Sequence, residues 1–131
     1  MDVGMLTIVN DELLIVKLSG IFDSKALQEL ASVLNKMEAA SAYPKRLVYV
    51  DDSLTSAINS SDAMYYKSQR PDPKASVQSA FCVFNDFQYG MARMFQALLE
   101  GERHKIEIFR DRESAAKWLG IDIALLHKQS A

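Results

Sequence analysis

Apolar residues in this chain follow two alternating rhythms. Short apolar runs occupy positions 5–9, 13–18, 47–50, 80–84 and 106–109, and in the later intervals apolar residues recur at three- and four-residue spacing. The first rhythm predicts strands and the second predicts amphipathic helices. Asn10-Asp11-Glu12 between the first two runs is a turn signal, so this pair reads as a β-hairpin. Asp23 or Ser24 then caps a helix carrying Leu27, Leu30, Leu34 and Met37 on one side. Tyr43-Pro44 ends it, because the residue before a proline avoids the α region. Asn85 or Asp86 opens a strong amphipathic helix with Met91, Met94, Phe95 and Leu98 on one face, and Gly101 is expected to close it as a left-handed residue. Asp111 caps a last helix with Ala115, Trp118 and Leu119, closed by Gly120. Residues 52–77 carry the weakest pattern. There Ser60 or Ser61 is expected to cap a helix through Met64, Tyr65 and Tyr66, which Pro71 and Pro73 stop.

Strand–helix alternation favours parallel strands joined by right-handed crossovers, and the opening hairpin adds an antiparallel strand. The expected fold class is therefore α/β: a mixed five-stranded sheet, with an N-terminal β-hairpin and the remaining strands largely parallel, packed against about four helices. The 131 residues suit one domain, taken as 1–131. A chain of this length buries roughly two-thirds of its unfolded surface and needs no disulfide or structural metal. In the tail, 122–131, Ile123, Leu125 and Leu126 suggest one more helical turn that docks on the domain or on a second copy, as in a homodimer.

Composition narrows the function more than it defines it. The single cysteine, Cys82, forms no internal disulfide, which fits a reducing compartment. The first residues lack the basic and apolar regions of a signal peptide. The longest apolar stretch, 13–22, is interrupted by Lys17, Ser19 and Gly20 and is too short to span a bilayer. A cytoplasmic protein without integral membrane association is expected. Net charge is −2, from 15 basic and 17 acidic residues mixed along the chain. Only Lys67, Arg70 and Lys74, and the stretch 103–105, gather basic residues, so no nucleic-acid partner is expected.

Several segments together resemble the STAS domain family, in its SpoIIAA-like, STAS/SEC14-type subgroup. Leu18-Ser19-Gly20-Ile21-Phe22-Asp23 is similar to the family's opening of the first helix, where glycine permits a tight turn and aspartate caps. Residues 47–51 resemble its central strand, which ends in aspartate. Residues 106–111 followed by 115–119 resemble its last strand and helix, and residues 89–95 its third helix. The resemblance spans nearly the whole chain except 65–77. It implies a non-enzymatic regulatory or protein-interaction module like the anti-sigma-factor antagonists, in which a serine at the start of the second helix is phosphorylated. Aligned through Asp51, that position falls on Ser60, within Ile58-Asn59-Ser60-Ser61-Asp62. Asn59 stands where the family has aspartate, and Asp62 where it has glycine. A phosphate at a helix N-terminus is favoured by free N–H groups, yet Asp62 would repel it. The plain alternative is that Ser60 or Ser61 is an N-cap.

Catalytic chemistry finds little support in these residues. Cys82 lies between Phe81 and Val83 in an apolar strand, where a thiol stays protonated. His104 and His127 lack metal-ligand neighbours and are expected at the surface, so neither a metal nor a cofactor is expected. No phosphate-binding loop, dinucleotide fingerprint or nucleophile elbow is present. Asp51-Asp52, at the C-terminal end of a strand, is the best acid–base or Mg²⁺ candidate, since α/β proteins bind ligands at that edge. Two readings follow. One is a protein partner bound around Asn59, Ser60, Ser61 and Asp62. The other, implied by the STAS/SEC14 kinship, is a small apolar ligand or lipid held by Tyr65, Tyr66, Met91, Met94 and Phe95, which requires a void between the third helix and the sheet. Ordinary core packing is the alternative for those five residues.

Overall fold

A computed structural model of the chain describes residues 4–8, 12–122 and 124. Among them seven strands and four helices follow one another as β1 (Gly4–Ile8), β2 (Leu13–Leu18), β3 (Ile21–Phe22), α1 (Ser24–Ala40), β4 (Lys45–Val50), β5 (Thr55–Ser56), α2 (Ser60–Gln69), β6 (Val77–Cys82), α3 (Asp86–Leu99), β7 (His104–Phe109) and α4 (Arg112–Leu119). The main sheet has the order β1-β2-β4-β6-β7. β1 runs antiparallel to β2, and the other neighbours are parallel. A separate parallel pair, β3 with β5, sits beyond the tips of β2 and β4.

The sheet is covered on both faces, which is why β2 reads as an unbroken apolar run rather than an alternation. Leu14, Val16 and Leu18 face a core shared with α1, α2 and α3. Leu13 and Ile15 face a second core with Leu47, Tyr49, Ala80 and the buried side of α4. The parallel strands are laid down in chain order, and crossovers of one hand put their helices on one face. This leaves the other face to α4, which packs on β6 and β7. The short α2 packs on α1 and α3.

Local chemistry explains most element ends. Asp23 caps α1 through the Ala26 N–H at 2.9 Å, and Asn85 and Asp111 do the same for α3 and α4. Gly20 (φ 72°) turns the chain from β2 into β3, and Gly120 (φ 70°) closes α4. Both adopt the left-handed conformation that glycine takes without steric cost.

Five expectations need correction. Asn59, not Ser60 or Ser61, caps α2: its side chain accepts from the Asp62 N–H at 2.9 Å, and Asp62 accepts from the Asn59 N–H at 3.1 Å. This reciprocal capping box satisfies two donors at once, whereas Ser60 and Ser61 have Ala63 and Met64 three residues on, which cannot reciprocate. Gly101 is not left-handed; α3 ends at an extended Glu100, and Gly101 bridges to His104. α1 stops at Ala40, before Tyr43-Pro44, and Tyr43 itself takes a left-handed φ of 45°. The fourth expected strand runs Val77–Cys82 rather than 80–84, so Cys82 ends it instead of centring it. Its polar start, Gln78-Ser79, hid the strand, although each residue pairs in register with β4. The small β3–β5 sheet was not expected, because two-residue strands leave no periodicity to read. The docking segment at 122–131 and His127 lie almost wholly outside the described residues.

Gln88 ties these layers together. It is fully buried, and its carbonyl accepts from the Phe84 N–H at 2.8 Å while its amide donates to the Asp51 carbonyl at 3.0 Å. One side chain thus satisfies the backbone just past the ends of two neighbouring strands. Gln88→Leu keeps the volume and leaves both groups without a partner. The expected loss is about 2–4 kcal/mol, measured as a drop in urea midpoint at unchanged m-value.

Candidate functional site

Between the sheet and helices α1, α2 and α3 lies a cavity of about 560 Å³. Its inner walls are apolar: Val16, Val48 and Phe81 come from the strands, Leu30 from α1, and Met91 and Phe95 from α3. Phe95 meets Tyr66 of α2 edge-on, with centroids 5.8 Å apart. Exposed lining residues at the ends of α1 and α2, including Ala39, Lys67, Pro71 and Lys74, form the mouth.

The end of the cavity nearest this mouth is charged. Arg46, the second residue of β4, lies on the same face as Val48 and Val50 and is only 9% exposed. Its guanidinium donates to the Tyr43 and Ala42 carbonyls, each at 3.0 Å, and pairs with Glu38 at 2.7 Å. Glu38 also takes a two-pronged contact from Arg70, at 2.7 and 2.5 Å, and Arg70 reaches Asn35 at 2.5 Å. One carboxylate from α1 is therefore shared by two guanidiniums, one from the sheet and one from the end of α2. Burial lowers the Arg46 pKa, an effect that the Glu38 charge opposes. Arg70 is also desolvated, but its bonds and proximity to Glu38 and Tyr66 leave its pKa raised. Burial raises the Tyr66 phenol, so the ring stays neutral.

Ser79 is the cross-strand neighbour of Arg46, and its hydroxyl lies 2.7 Å from His104 Nε2. Burial first, then the charges of Arg46 and Arg70, push the His104 pKa down to about 4. His104 was expected at the surface; instead it lines the cavity as a neutral imidazole. The pair has the spacing of a nucleophile and its base. An imidazole held so far below neutrality is a weak base, so the arrangement favours hydrogen bonding over serine activation.

The sequence-predicted residues separate into groups. Tyr66, Met91 and Phe95 line the cavity. Met94 packs against the core but is not among the lining residues. Tyr65 points instead into a shallow groove between α1 and α2, shared with Gln28 and Asp62. Ser60 and Ser61 are exposed in the first turn of α2, beside the Asn59–Asp62 capping box. Asp51 is committed to a local turn, accepting from the Ser53 N–H at 3.1 Å and from the Ser53 hydroxyl. Those bonds hold its carboxyl below the usual range, while Asp52 is exposed. Among the described residues no three His, Cys, Asp or Glu side chains gather as a metal site would require. The Cys82 thiol is buried against α4 and pushed up to about 11 by desolvation.

Sequence reasoning missed Glu38, Arg46, Arg70, Ser79 and His104 as one group. A signal existed in β4: Arg46 shares the parity of Val48 and Val50, which places a charge on a core face. The charged group also lies at the N-terminal ends of the parallel strands, opposite the edge where Asp51-Asp52 drew attention.

No family model matches the chain, and no curated protein does. Solved structures do. One is an uncharacterised DUF3478-family protein with a SpoIIAA-like fold from Shewanella loihica PV-4. It superposes with a TM-score of 0.55 at 15% identity, over 88% of this chain and 91% of that one. Another is the anti-sigma factor antagonist SpoIIAA in its unphosphorylated form, with a TM-score of 0.54 at 15% identity, over 91% of this chain and 98% of that one. The chain thus has a SpoIIAA-like α/β fold, with four helices among the described residues and a mostly parallel sheet. Among the described residues no helix is long and apolar enough to cross a membrane.

A pH experiment probes the buried imidazole. The folded-state pKa lies near 4, below the ordinary 6.5, so His104 costs nothing above pH 6.5. As pH falls from 6.5 towards 4, the unfolded chain takes up a proton that the folded chain refuses, and stability is lost across that window. His104→Gln is expected to flatten the difference between urea midpoints at the two ends of the window, relative to wild type.

Proposed function

We propose that this chain acts by binding rather than by catalysis, and that its ligand is a small, largely apolar molecule held between the sheet and helices α1 to α3. The observation that carries this reading is the cavity of about 560 Å³, inside the range of roughly 300–1,000 Å³ typical of ligand sites. A fully packed interior leaves few voids larger than a water molecule. The flexible Met91 and the aromatic Tyr66 and Phe95 suit an apolar guest. The groups with catalytic potential are otherwise engaged: Glu38 by two arginines, Asp51 by Ser53, and His104 by Ser79.

The test uses 1-decanol as an uncharged probe in a fluorescence-displacement titration. Wild type should bind it in the micromolar range. Ala92→Phe, which grows a ring from the cavity wall of α3, should weaken binding by at least about tenfold while the melting temperature holds or rises as the void is filled. Wild-type protein that fails to bind decanol, or an Ala92→Phe variant that binds it equally well, sinks the reading.

A second reading, a protein-interaction module like the anti-sigma-factor antagonists, is favoured by the exposed side of α2. Met64 and Tyr65 are 61% and 51% exposed, one turn beyond Ser60. Large apolar residues left in solvent beside a modifiable hydroxyl suit a regulated contact. Here Asp62 already occupies the Asn59 N–H that a phosphate would seek, so phosphorylation of Ser60 would act by repulsion. Ser60→Asp should change the affinity for whichever protein copurifies from the native cells while circular dichroism stays the same; an affinity that does not move removes the switch.

A further inference from the structure

The charged end of the cavity narrows the ligand class, on the premise that the cavity binds a ligand at all. We propose that the cavity takes an amphiphile with a single anionic head, its apolar tail against the inner wall and its head among Arg46, Arg70, Ser79 and His104 near the mouth.

Three observations support this assignment. The cavity is polarised, with apolar walls deep inside and charged side chains towards the mouth, so an amphiphile enters tail first. The balance of charge is positive: Arg46, Arg70, Lys67 and Lys74 line the cavity against Glu38 and Asp72, with Lys67, Lys74 and Asp72 at the exposed mouth. Glu38 cannot neutralise both buried guanidiniums that share it, so that end keeps about one uncompensated positive charge in a poorly solvated place. Finally, donors remain. Arg46 uses its Nε–H on Tyr43, one N–H on Ala42 and one on Glu38, out of about five that a guanidinium carries. The Ser79 hydroxyl stands alongside: when His104 Nε2–H donates to Ser79 Oγ, the Ser79 O–H is left to donate to an anionic oxygen. Arg46 depends on the two carbonyls of the Ala42–Tyr43 turn for its position, so the cation is held in place before any ligand arrives.

The same chain carried by different heads isolates this claim. Decanoate and 1-decanol are titrated at neutral pH into wild type and Arg70→Gln, with decanol as the internal control for an intact cavity. Wild type should prefer decanoate by at least about tenfold, the scale of a charge-assisted contact. Arg70→Gln should keep its decanol affinity and lose most of that preference. Equal binding of the two probes by wild type leaves the cavity reading standing and overturns the anionic head. Binding of neither probe removes the cavity reading and this proposal with it. A preference retained in full by Arg70→Gln also overturns the assignment. Should Arg70→Gln bind neither probe, Glu38→Gln decides: deleting the shared counter-charge should increase the preference for decanoate, and a preference that stays level or falls overturns the proposal.

Discussion

The contact on which much of this architecture hangs is the sharing of Glu38 by two buried arginines. Arg46 belongs to the sheet, Glu38 to the end of α1 and Arg70 to the cap of α2. The sheet and two helices are thereby fixed at one point. A buried ion pair is weak evidence of stability, since desolvation offsets much of the attraction. Removing Glu38, in contrast, strands two cations where water is scarce, whereas removing either arginine leaves a matched pair. The triad therefore specifies geometry more than it adds free energy. It holds α2 against α1 at its C-terminal end, and Asn35 reinforces the hold by donating to the Gln69 carbonyl at 2.9 Å.

Much of this fold was legible in the sequence because its strands and helices bury faces in simple periods. The Leu13–Leu18 run, the Asp23, Asn85 and Asp111 caps and the two glycine turns each followed from a local rule. The failures were also physical. Serine at positions 60 and 61 looked like a cap, but only Asn59 has a side chain three residues on, Asp62, that can return its bond. Strand β6 opens with polar residues because Ser79 answers to Arg46 and His104 across the sheet. Its composition was set by tertiary neighbours, which spacing along the chain does not reveal.

The site was less legible than the fold for a related reason. Its apolar half could be guessed from Met91 and Phe95, whose spacing marks an inward helix face. Its polar half combines one residue each from α1, the α2 cap, β4, β6 and β7, and only Glu38 and Arg46 lie close together in sequence. Separation of this kind is usual when a site is built by a parallel sheet, because adjacent strands are joined only through a crossover helix.

Strand order has a kinetic consequence. From β2 onwards the main sheet is built in sequence, β2 then β4 then β6 then β7, so each new parallel strand joins the one laid down before it. Each of these pairings still has to close a whole crossover helix, as Ile15 with Leu47 and Leu47 with Ala80 do, and such non-local pairing is slow to form. On a ribosome, where chain emerges from the N-terminus, the Glu38–Arg46–Arg70 cluster can assemble once α2 has left the tunnel, before His104 and α4 have emerged. The cationic end of the cavity is thus available early, and the strand that carries the imidazole closes it afterwards.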